Sequence, residues 1–549
     1  MEIKTIHELE KQAFKKSHAE IGRIGAALFF LAAVLVFSFT TSGGVPNNLF
    51  LAIAAVFGAY MAMNIGANDV ANNVGPAVGS RAMTMGGAIV IAMIFEASGA
   101  FIAGGDVVST IKGGIIDIQG FGGNTDEFVW AMMAALLAAA MWLNLATYAG
   151  APVSTTHSIV GGVMGAGIAA AGFTIVDWGT MGAIVSSWVI SPLFGGVIAA
   201  TFLLAIKKTI IFRDDKISAS YKWVPVYVGV MAWAFATYLI IKGISKIWSK
   251  IIELVNFLPG VEIEVASKPS FLSALIIGLL IGLAVYKLVK KRLKKKLPEM
   301  SNDRGSVNTL FTIPLVFAAA LLSFAHGAND VANAIGPLAA INDAIMTGGI
   351  TAQAGIPFWV MAVGALGIAL GLGLYGPRLI RTVGGEITEL DQMRAYSIAM
   401  AAALTVIIAS QLGLPVSTTH IAIGGVFGVG FLREWLDESN TIEREIRKDK
   451  SDLKDEKKQL NALRKELDSL QNKGSKSVDE YQRVTTLYRL IDEEESAIKK
   501  AKKQLKKEQK NLFVKRDMVK KIITAWVVTV PAAAVLSAMV FYMIKGIML

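Results

Sequence analysis

Long apolar runs dominate the pattern of hydrophobic and polar positions along this chain. Eleven of them have roughly the length that a membrane-crossing helix requires, 17 to 25 residues. The runs are residues 22–42, 48–65, 85–105, 128–148, 178–206, 223–242, 271–287, 311–326, 358–376, 393–412 and 522–548. Because a backbone inside lipid must satisfy its own hydrogen bonds, these runs predict an all-α polytopic membrane protein.

Composition agrees with this interpretation. Hydrophobic residues make up 54% of the 549 positions and the mean hydropathy is +0.54, more than a soluble protein with one core would need. The run at 22–42 is longer than the apolar region of a signal peptide and precedes no small-residue cleavage site, so we expect a membrane helix there. The sequence contains no cysteine, which excludes disulfides and thiol chemistry.

Two polar passages interrupt the apolar runs, and each occurs twice. Gly-Ala-Asn-Asp-Val-Ala-Asn at 66–72 returns unchanged at 327–333, and Pro-Val-Ser-Thr-Thr-His at 152–157 returns unchanged at 415–420. Polar side chains are costly within a bilayer and mark functional sites there. Duplication of both passages therefore predicts one central site that two similar halves of the chain build together.

Loop charge gives the expected orientation. Basic residues concentrate in loops 207–222 and 287–304, which assigns both to the cytoplasmic side, whereas loop 105–127 is mainly acidic and falls outside. The chain then enters the first Gly-Ala-Asn-Asp passage from outside and the second from inside. The halves are thus inverted copies, which is typical of secondary transporters. We expect a multi-pass protein of the cell membrane, with its N-terminus and residues 433–521 in the cytoplasm and its C-terminus outside.

This topology divides the chain into six segments. Both transport repeats are expected to contain discontinuous helices. The segments are 1–42, an N-terminal segment with an extra membrane helix; 43–206, the first transport repeat; 207–307, a linker with two membrane helices and basic cytoplasmic loops; 308–432, the second transport repeat; 433–521, a cytoplasmic helical-hairpin insertion; and 522–549, the final membrane helix of the second repeat.

The insertion at 433–521 is charged rather than apolar, with 25 basic and 19 acidic residues. Leu460 and Leu467 are seven residues apart, and Ile491 and Ile498 repeat that spacing after a Gly-Ser turn. The spacing predicts two helices folded back as an antiparallel coiled-coil hairpin. The hairpin either packs on itself, joins a second subunit in a homo-oligomer, or has a regulatory or lipid-contacting role. Mixed charge and few aromatic residues argue against nucleic-acid binding.

The Gly-Ala-Asn-Asp passages carry ligands for a hard cation. Asn68 and Asn72 share one helical face with Asp69 beside it, and the copy has the same spacing. Gly66 before and Gly75-Pro76 after allow the helix to break, which would free backbone carbonyl groups. Carboxylate, amide and carbonyl oxygens suit Na⁺, or else Mg²⁺ or Ca²⁺, far better than a soft metal. The alternative is that these side chains only hydrogen-bond neighbouring helices.

The Pro-Val-Ser-Thr-Thr-His passages carry donors for an oxyanion. A proline suits the first turn of a helix, and Ser154 or Ser417 can cap that helix. Hydroxyl groups and the free amides at a helix N-terminus together form an oxyanion site, although routine capping explains the same residues. Cations that neutralise Asp69 and Asp330 make anion binding beside them favourable in a low dielectric. This dependence is a physical basis for symport.

Three further polar residues lie within the apolar runs. His157 and His420 follow the threonine pairs and serve either packing or a pH-sensitive role. Glu96 lies inside a span where the second half has Gly367, so it is either an extra cation or proton site or a paired structural carboxyl. Ser, His and Asp together also allow an intramembrane hydrolase, but the sequence has no nucleophile elbow, and we expect no enzyme. A channel is the remaining alternative.

Both duplicated passages resemble the paired signature of the inorganic phosphate transporter (PiT) family, which includes sodium/phosphate symporters. The resemblance covers 45–206, 308–432 and 522–548, and it excludes 1–42 and 433–521. It implies uptake of inorganic phosphate, driven by Na⁺ in some members and by H⁺ in others, while some relatives carry sulfate. The paired asparagines beside each aspartate favour Na⁺ as the coupling ion.

The resemblance also implies a division of roles within the passages. The expected sodium ligands are Asp69, Asn72, Thr156, Asp330, Asn333 and Thr419. The expected phosphate ligands are Asn68, Ser154, Thr155, Asn329, Ser417 and Thr418. Phosphate retains a donor hydroxyl at neutral pH and sulfate does not, so an aspartate acceptor favours phosphate.

Overall fold

The protein is all-helical in the computed structural model, which describes residues 3–45, 47–105, 107–149, 153–245, 248–257, 268–350, 355–383, 390–437, 442–475, 477–511 and 516–548. Within these ranges the chain forms 17 α-helices and no β-strand. The helices are α1 (Ile3–Thr41), α2 (Asn48–Gly79), α3 (Met85–Ala103), α4 (Thr125–Tyr148), α5 (Thr155–Ala171), α6 (Trp178–Ile206), α7 (Lys216–Lys242), α8 (Trp248–Asn256), α9 (Phe271–Lys296), α10 (Arg304–Thr309), α11 (Thr312–Thr347), α12 (Phe358–Val383), α13 (Gln392–Gln411), α14 (Thr418–Asp437), α15 (Ile442–Gln471), α16 (Val478–Asn511) and α17 (Arg516–Met548).

Eleven helices in the described part of the chain are long and apolar enough to cross a bilayer. They are α1, α2, α3, α4, α6, α7, α9, α11, α12, α13 and α17. Each contains most of one predicted run, so the predicted all-α polytopic fold class is confirmed. α2 and α11 extend well beyond the predicted runs, because both helices continue into the Gly-Ala-Asn-Asp passages.

The helix break expected between Gly66 and Pro76 is wrong, since α2 and α11 run without interruption through both passages. Gly66 instead permits the close approach of α12: a Cβ atom there would lie 2.0 Å from the carbonyl oxygen of Ile368. Gly327 permits the equivalent approach of α3, where a Cβ would lie 2.1 Å from the carbonyl oxygen of Glu96. The glycines therefore serve interhelical packing rather than interruption.

Pro76 and Pro337 lie inside α2 and α11, four residues after Asn72 and Asn333 respectively. Because proline has no N–H, the backbone carbonyl groups of these two asparagines lose their usual helical donor. Backbone oxygens are thus made available at the polar passages while each helix stays intact.

The helix interruptions occur instead at the Pro-Val-Ser-Thr-Thr-His passages, where α5 and α14 begin inside the protein. Ser154 and Ser417 are both buried. Each caps its helix, since the Oγ of Ser154 accepts from the N–H of His157 at 3.1 Å and the Oγ of Ser417 accepts from that of His420 at 3.3 Å. Pro152 lies outside the described residues. Two helix N-termini, with their positive dipole ends, therefore lie in the interior.

The helices of the two repeats pack against each other in matching pairs. α2 packs on α12, and α11 packs on α3. α5 packs on α17, where a Cβ at Gly161 would lie 2.6 Å from the carbonyl oxygen of Val530. α14 packs on α6, where a Cβ at Gly424 would lie 2.1 Å from that of Pro192. These contacts of one repeat have equivalents in the other, while the inverted orientation of the repeats stays a prediction from loop charge.

The chain divides into two compact units, Met1–Val429 with Ile522–Leu549, and Gly430–Lys521. The second unit contains α15 and α16. Its buried apolar seam consists of Leu460, Leu467, Leu487, Ile491 and Ile498. The two seven-residue series therefore face each other, as the predicted helical hairpin requires.

Charged pairs across the hairpin show the direction of its helices. Arg483 of α16 contacts Glu466 of α15 at 2.8 Å, and Arg464 contacts Glu495. An earlier residue of α15 thus meets a later residue of α16, so the helices are antiparallel. The hydrogen-bonded Arg483 guanidinium holds the pKa of Glu466 below its usual range.

Candidate cation and anion site

The two aspartates of the duplicated passages meet at one hydroxyl group. Thr155 Oγ1 lies 2.9 Å from Asp69 Oδ2 and 3.1 Å from Asp330 Oδ2. All three side chains are buried. The predicted convergence of the two passages on one place is thus present, because α2, α11 and the start of α5 meet there.

Further contacts link each aspartate with the threonines of the second repeat. Thr418 Oγ1 donates to Asp330 at 3.3 Å, and Thr419 Oγ1 donates to Asp69 at 3.0 Å. Asn72 donates to Thr419 at 2.8 Å. The site is therefore built across the two repeats, and neither half contains it alone.

The amide of Asn333 completes the set, donating to Thr156 Oγ1 at 3.2 Å. Its Oδ1 atom and Asp330 Oδ1 are buried and have no hydrogen-bond partner among the described residues. A buried oxygen without a donor is costly in a protein interior. A cation would satisfy both oxygens, since carboxylate and amide oxygens are ligands of the hard type that such an ion prefers.

His326 belongs to this cluster of polar side chains, although sequence reasoning did not predict it. Its Nε2 lies 3.5 Å from Asp69 Oδ2 and 3.3 Å from Asp330 Oδ2, and its Nδ1 lies 3.3 Å from Glu96 Oε2. The ligand atoms of the histidine and the two aspartates all lie within 4.8 Å of one another, close enough to hold one ion. One feature of the sequence could have identified this histidine. The residue before the Gly-Ala-Asn-Asp passage is Ile65 in the first copy but His326 in the second.

Glu96 joins this cluster from α3. Its Oε1 accepts from Asn73 Nδ2 at 2.7 Å, and its side chain is fully buried. The residue packed in the equivalent place of the second repeat is Ile368, whose carbonyl contacts Gly66 as that of Glu96 contacts Gly327. The expected counterpart Gly367 is therefore wrong by one position, because α3 and α12 align by their packing contacts. Glu96 remains an acid without an acidic equivalent.

The side chains of Asn68 and Asn329 point away from the aspartates and contact other helices. Asn68 Nδ2 donates to Thr147 of α4 at 2.9 Å, and Asn329 Nδ2 donates to Ser410 of α13 at 2.8 Å. The Oδ1 atoms of both asparagines are buried without a hydrogen-bond partner in the described part of the chain. The serines Ser154 and Ser417 use their Oγ atoms as helix caps. These two asparagines and two serines of the expected phosphate ligands thus make equivalent contacts in the two halves.

Comparison with known proteins decides the family. A model of the phosphate transporter family matches residues 65–537, which is most of the chain. The chain belongs to the phosphate transporter family. The resemblance that the duplicated passages indicated is confirmed, and the protein is a multi-pass membrane protein of this family.

Individual relatives agree with the family assignment. A protein of Helicobacter pylori (strain J99) described as "Putative phosphate permease" is 48% identical over 567 aligned residues, which cover 98% of each chain. "Putative phosphate permease PYRAB14010" of Pyrococcus abyssi is 38% identical over 396 residues, which cover 72% of this chain and 92% of the relative. A solved structure described as "The sodium-dependent phosphate transporter" matches with a TM-score of 0.65 and 30% identity, and the match covers 91% of this chain and 99% of that one.

The two histidines of this family member's Ser-Thr-Thr-His passages pack among aromatic rings. The His157 ring lies 3.8 Å from that of Trp188, and the His420 ring lies 3.5 Å from that of Trp526. The two imidazoles also contact each other, with centroids 4.4 Å apart. This arrangement supports the packing role among the two that the sequence allowed.

Proposed function

We propose that the protein imports inorganic phosphate coupled to sodium, with the anion and the cations bound together between the two repeats. The observation that carries this proposal is the shared hydroxyl of Thr155, which joins the carboxylates of Asp69 and Asp330 from opposite repeats. Two carboxylates this close repel each other and any anion beside them. Sodium ions remove that repulsion, so neither ligand binds well without the other.

The proposed roles follow the donor chemistry of each side chain. Sodium is held by oxygen ligands: Asp69, Asn72, Thr156, Asp330, Asn333 and Thr419. Phosphate is held by the N-terminal ends of α5 and α14 with polar side chains around them: Asn68, Ser154, Thr155, Asn329, Ser417 and Thr418. Thr155 lies between the two sets, so its hydroxyl links the anion with the aspartates.

The geometry gives the hydrolase alternative no support. In both copies the serine hydroxyl accepts from the backbone N–H of the histidine, and the imidazole of His157 packs against the Trp188 ring. A nucleophilic serine needs an imidazole nitrogen within hydrogen-bond reach. Transport rather than hydrolysis is therefore the function that this site supports.

Proton coupling is the second candidate, and His326 is the observation that favours it. Its Nε2 lies between the two aspartates, in the place where a sodium ion would bridge them. A charged imidazole there would supply the positive charge that sodium supplies in the first proposal. The same chemistry applies to a sulfate permease, although phosphate can donate a hydrogen bond to an aspartate and sulfate cannot.

Uptake of labelled phosphate into proteoliposomes distinguishes these candidates. A sodium gradient and a pH gradient are imposed separately, and protein-free liposomes serve as the control. Sodium coupling predicts accumulation with the sodium gradient alone and weak competition by sulfate. Equal accumulation without sodium would reject sodium coupling in favour of proton coupling. Full competition by sulfate would reject phosphate as the specific substrate.

A further inference from the structure

An apolar groove of about 890 Å³ lies beside the transport repeats, between the α7–α9 pair and the α10–α11 segment. α7 supplies one wall with Val228, Met231 and Phe235, and α11 supplies the facing wall with Phe317 and Leu321. The groove lies outside the aspartate site, and none of the proposed transport ligands lines it.

The α7–α9 pair borders the groove and packs tightly within itself. Gly229 and Gly282 let the two helices touch: a Cβ at Gly282 would lie 2.8 Å from the carbonyl oxygen of Gly229. α7 also contacts α11, where the Phe235 ring lies 5.7 Å from that of Phe324, and the groove lies beside this contact. In the hydrocarbon layer an unfilled gap loses dispersion contacts along its whole lining.

Charge is confined to one end of the groove. Arg292 and Lys296 are four residues apart on α9 and therefore share one helical face with the lining residues Val285 and Leu288. The other end is apolar and reaches Ile244. An occupant that fits has a long apolar body and an anionic head at the α9 C-terminal end.

We propose that this groove binds one anionic phospholipid, with its headgroup on Arg292 and Lys296 and an acyl chain between α7 and α11. A free phosphate ion could pair with the two basic residues, but it would leave the apolar length of the groove unfilled. A lipid satisfies both parts at once, and the surrounding bilayer supplies it at high concentration.

The groove also reaches the elements that carry the polar site. Phe95 lines it and directly precedes Glu96, which contacts His326. Phe317 and Leu321 belong to α11, which carries Asp330. A lipid in the groove would therefore support the helix that presents one of the two aspartates.

Native mass spectrometry of the purified protein tests the proposal with phosphatidylglycerol and phosphatidylcholine of identical chains. We expect retention of phosphatidylglycerol over phosphatidylcholine. The double variant Arg292→Gln/Lys296→Gln should weaken phosphatidylglycerol binding by roughly fivefold for each charge removed. The matched control is Lys294→Gln/Lys295→Gln, which removes two charges from the same helix turn outside the groove lining. Equal losses in both doubles would overturn the proposal, because diffuse surface charge would then explain the binding.

Two further experiments test the acyl chain and the headgroup separately. The first fills the groove, and the second adds free phosphate as a competitor. Ala232→Phe narrows the groove while keeping both charges, and it should also lower phosphatidylglycerol retention. Unchanged retention in that variant, with an unchanged thermal unfolding profile, would contradict an acyl chain in the groove. Millimolar inorganic phosphate should not displace the lipid. Displacement would instead identify the basic end as a phosphate site and reject the lipid assignment.

Discussion

His326 and Glu96 face each other inside the protein, with Nδ1 and Oε2 3.3 Å apart, although neither belongs to the duplicated set. Ile65 of the first repeat is equivalent to His326, and Ile368 of the second repeat is equivalent to Glu96. The repeats are thus alike in their aspartates and threonines but unlike in this pair. The otherwise symmetric site therefore contains one acid, Glu96, and one base, His326, that have no equivalents in the opposite repeats.

Removal of the Glu96 charge should impair transport without unfolding the protein. In Glu96→Gln the new amide oxygen can still accept from Asn73, but the charge beside His326 is lost. We expect sodium-driven phosphate uptake to fall by about tenfold or more, because hydrogen bonds to charged groups are among the stronger ones. Glu127→Gln is the control, since Glu127 pairs with Lys545 away from the site. Wild-type uptake in Glu96→Gln would show that the pair is only structural.

Thr155 should matter more than its counterpart Thr418. The Thr155 hydroxyl contacts both aspartates at 2.9 and 3.1 Å, whereas the Thr418 hydroxyl contacts Asp330 alone at 3.3 Å. Thr155→Val should therefore lower sodium-dependent uptake more than Thr418→Val does. We expect uptake by Thr155→Val to fall about tenfold, the effect of one lost hydrogen bond to a charged group. Serine variants keep the hydroxyl and should restore most activity. Equal losses at the two positions would contradict the shared-hydroxyl arrangement.

Gly66 and Gly327 should tolerate no side chain. A Cβ at either position would lie about 2 Å from a backbone carbonyl oxygen, so a helix must move. We expect Gly66→Ala and Gly327→Ala to destabilise the protein by about 1–3 kcal/mol or more, measured as thermal unfolding in detergent. Gly182→Ala is the control, because a Cβ there meets nothing within 4 Å. A melting temperature like that of the control would refute the close packing.

The absence of cysteine makes the predicted orientation directly measurable. Gln119→Cys places a thiol on an exposed residue of the loop predicted outside, and Ser475→Cys places one at the exposed turn of the hairpin predicted inside. A membrane-impermeant maleimide should label the first variant in intact cells and the second only after permeabilisation. The unmodified protein is the control. The reverse pattern would invert the topology.

The membrane helices were predictable because their signal is local. A run of apolar residues needs no knowledge of its neighbours, and all eleven predicted runs became helices. The continuity of α2 and α11 was not predictable, since a glycine before a proline is equally compatible with a break and with close helix packing. Which of the two occurs depends on α12 and α3, distant in the chain.

The candidate site was predictable only where the chain repeats itself. Asp69 and Asp330 stand out because their surroundings are identical, and the structure brings them together. His326 and Asn73 could not be predicted in this way, because neither residue belongs to the duplicated passages. The packing of α5 on α17 and of α14 on α6 could not be predicted either, because these contacts join helices that are distant in the sequence.

Equilibrium binding of labelled phosphate to the purified protein tests the central claim most directly, with Na⁺ exchanged for choline at constant ionic strength. Coupled binding predicts that the phosphate Kd falls as Na⁺ rises, by roughly five- to 150-fold, and that phosphate tightens Na⁺ binding by the same factor. Asp69→Asn and Asp330→Asn should each flatten this dependence. A phosphate Kd that stays constant across all Na⁺ concentrations in the wild-type protein would contradict the account.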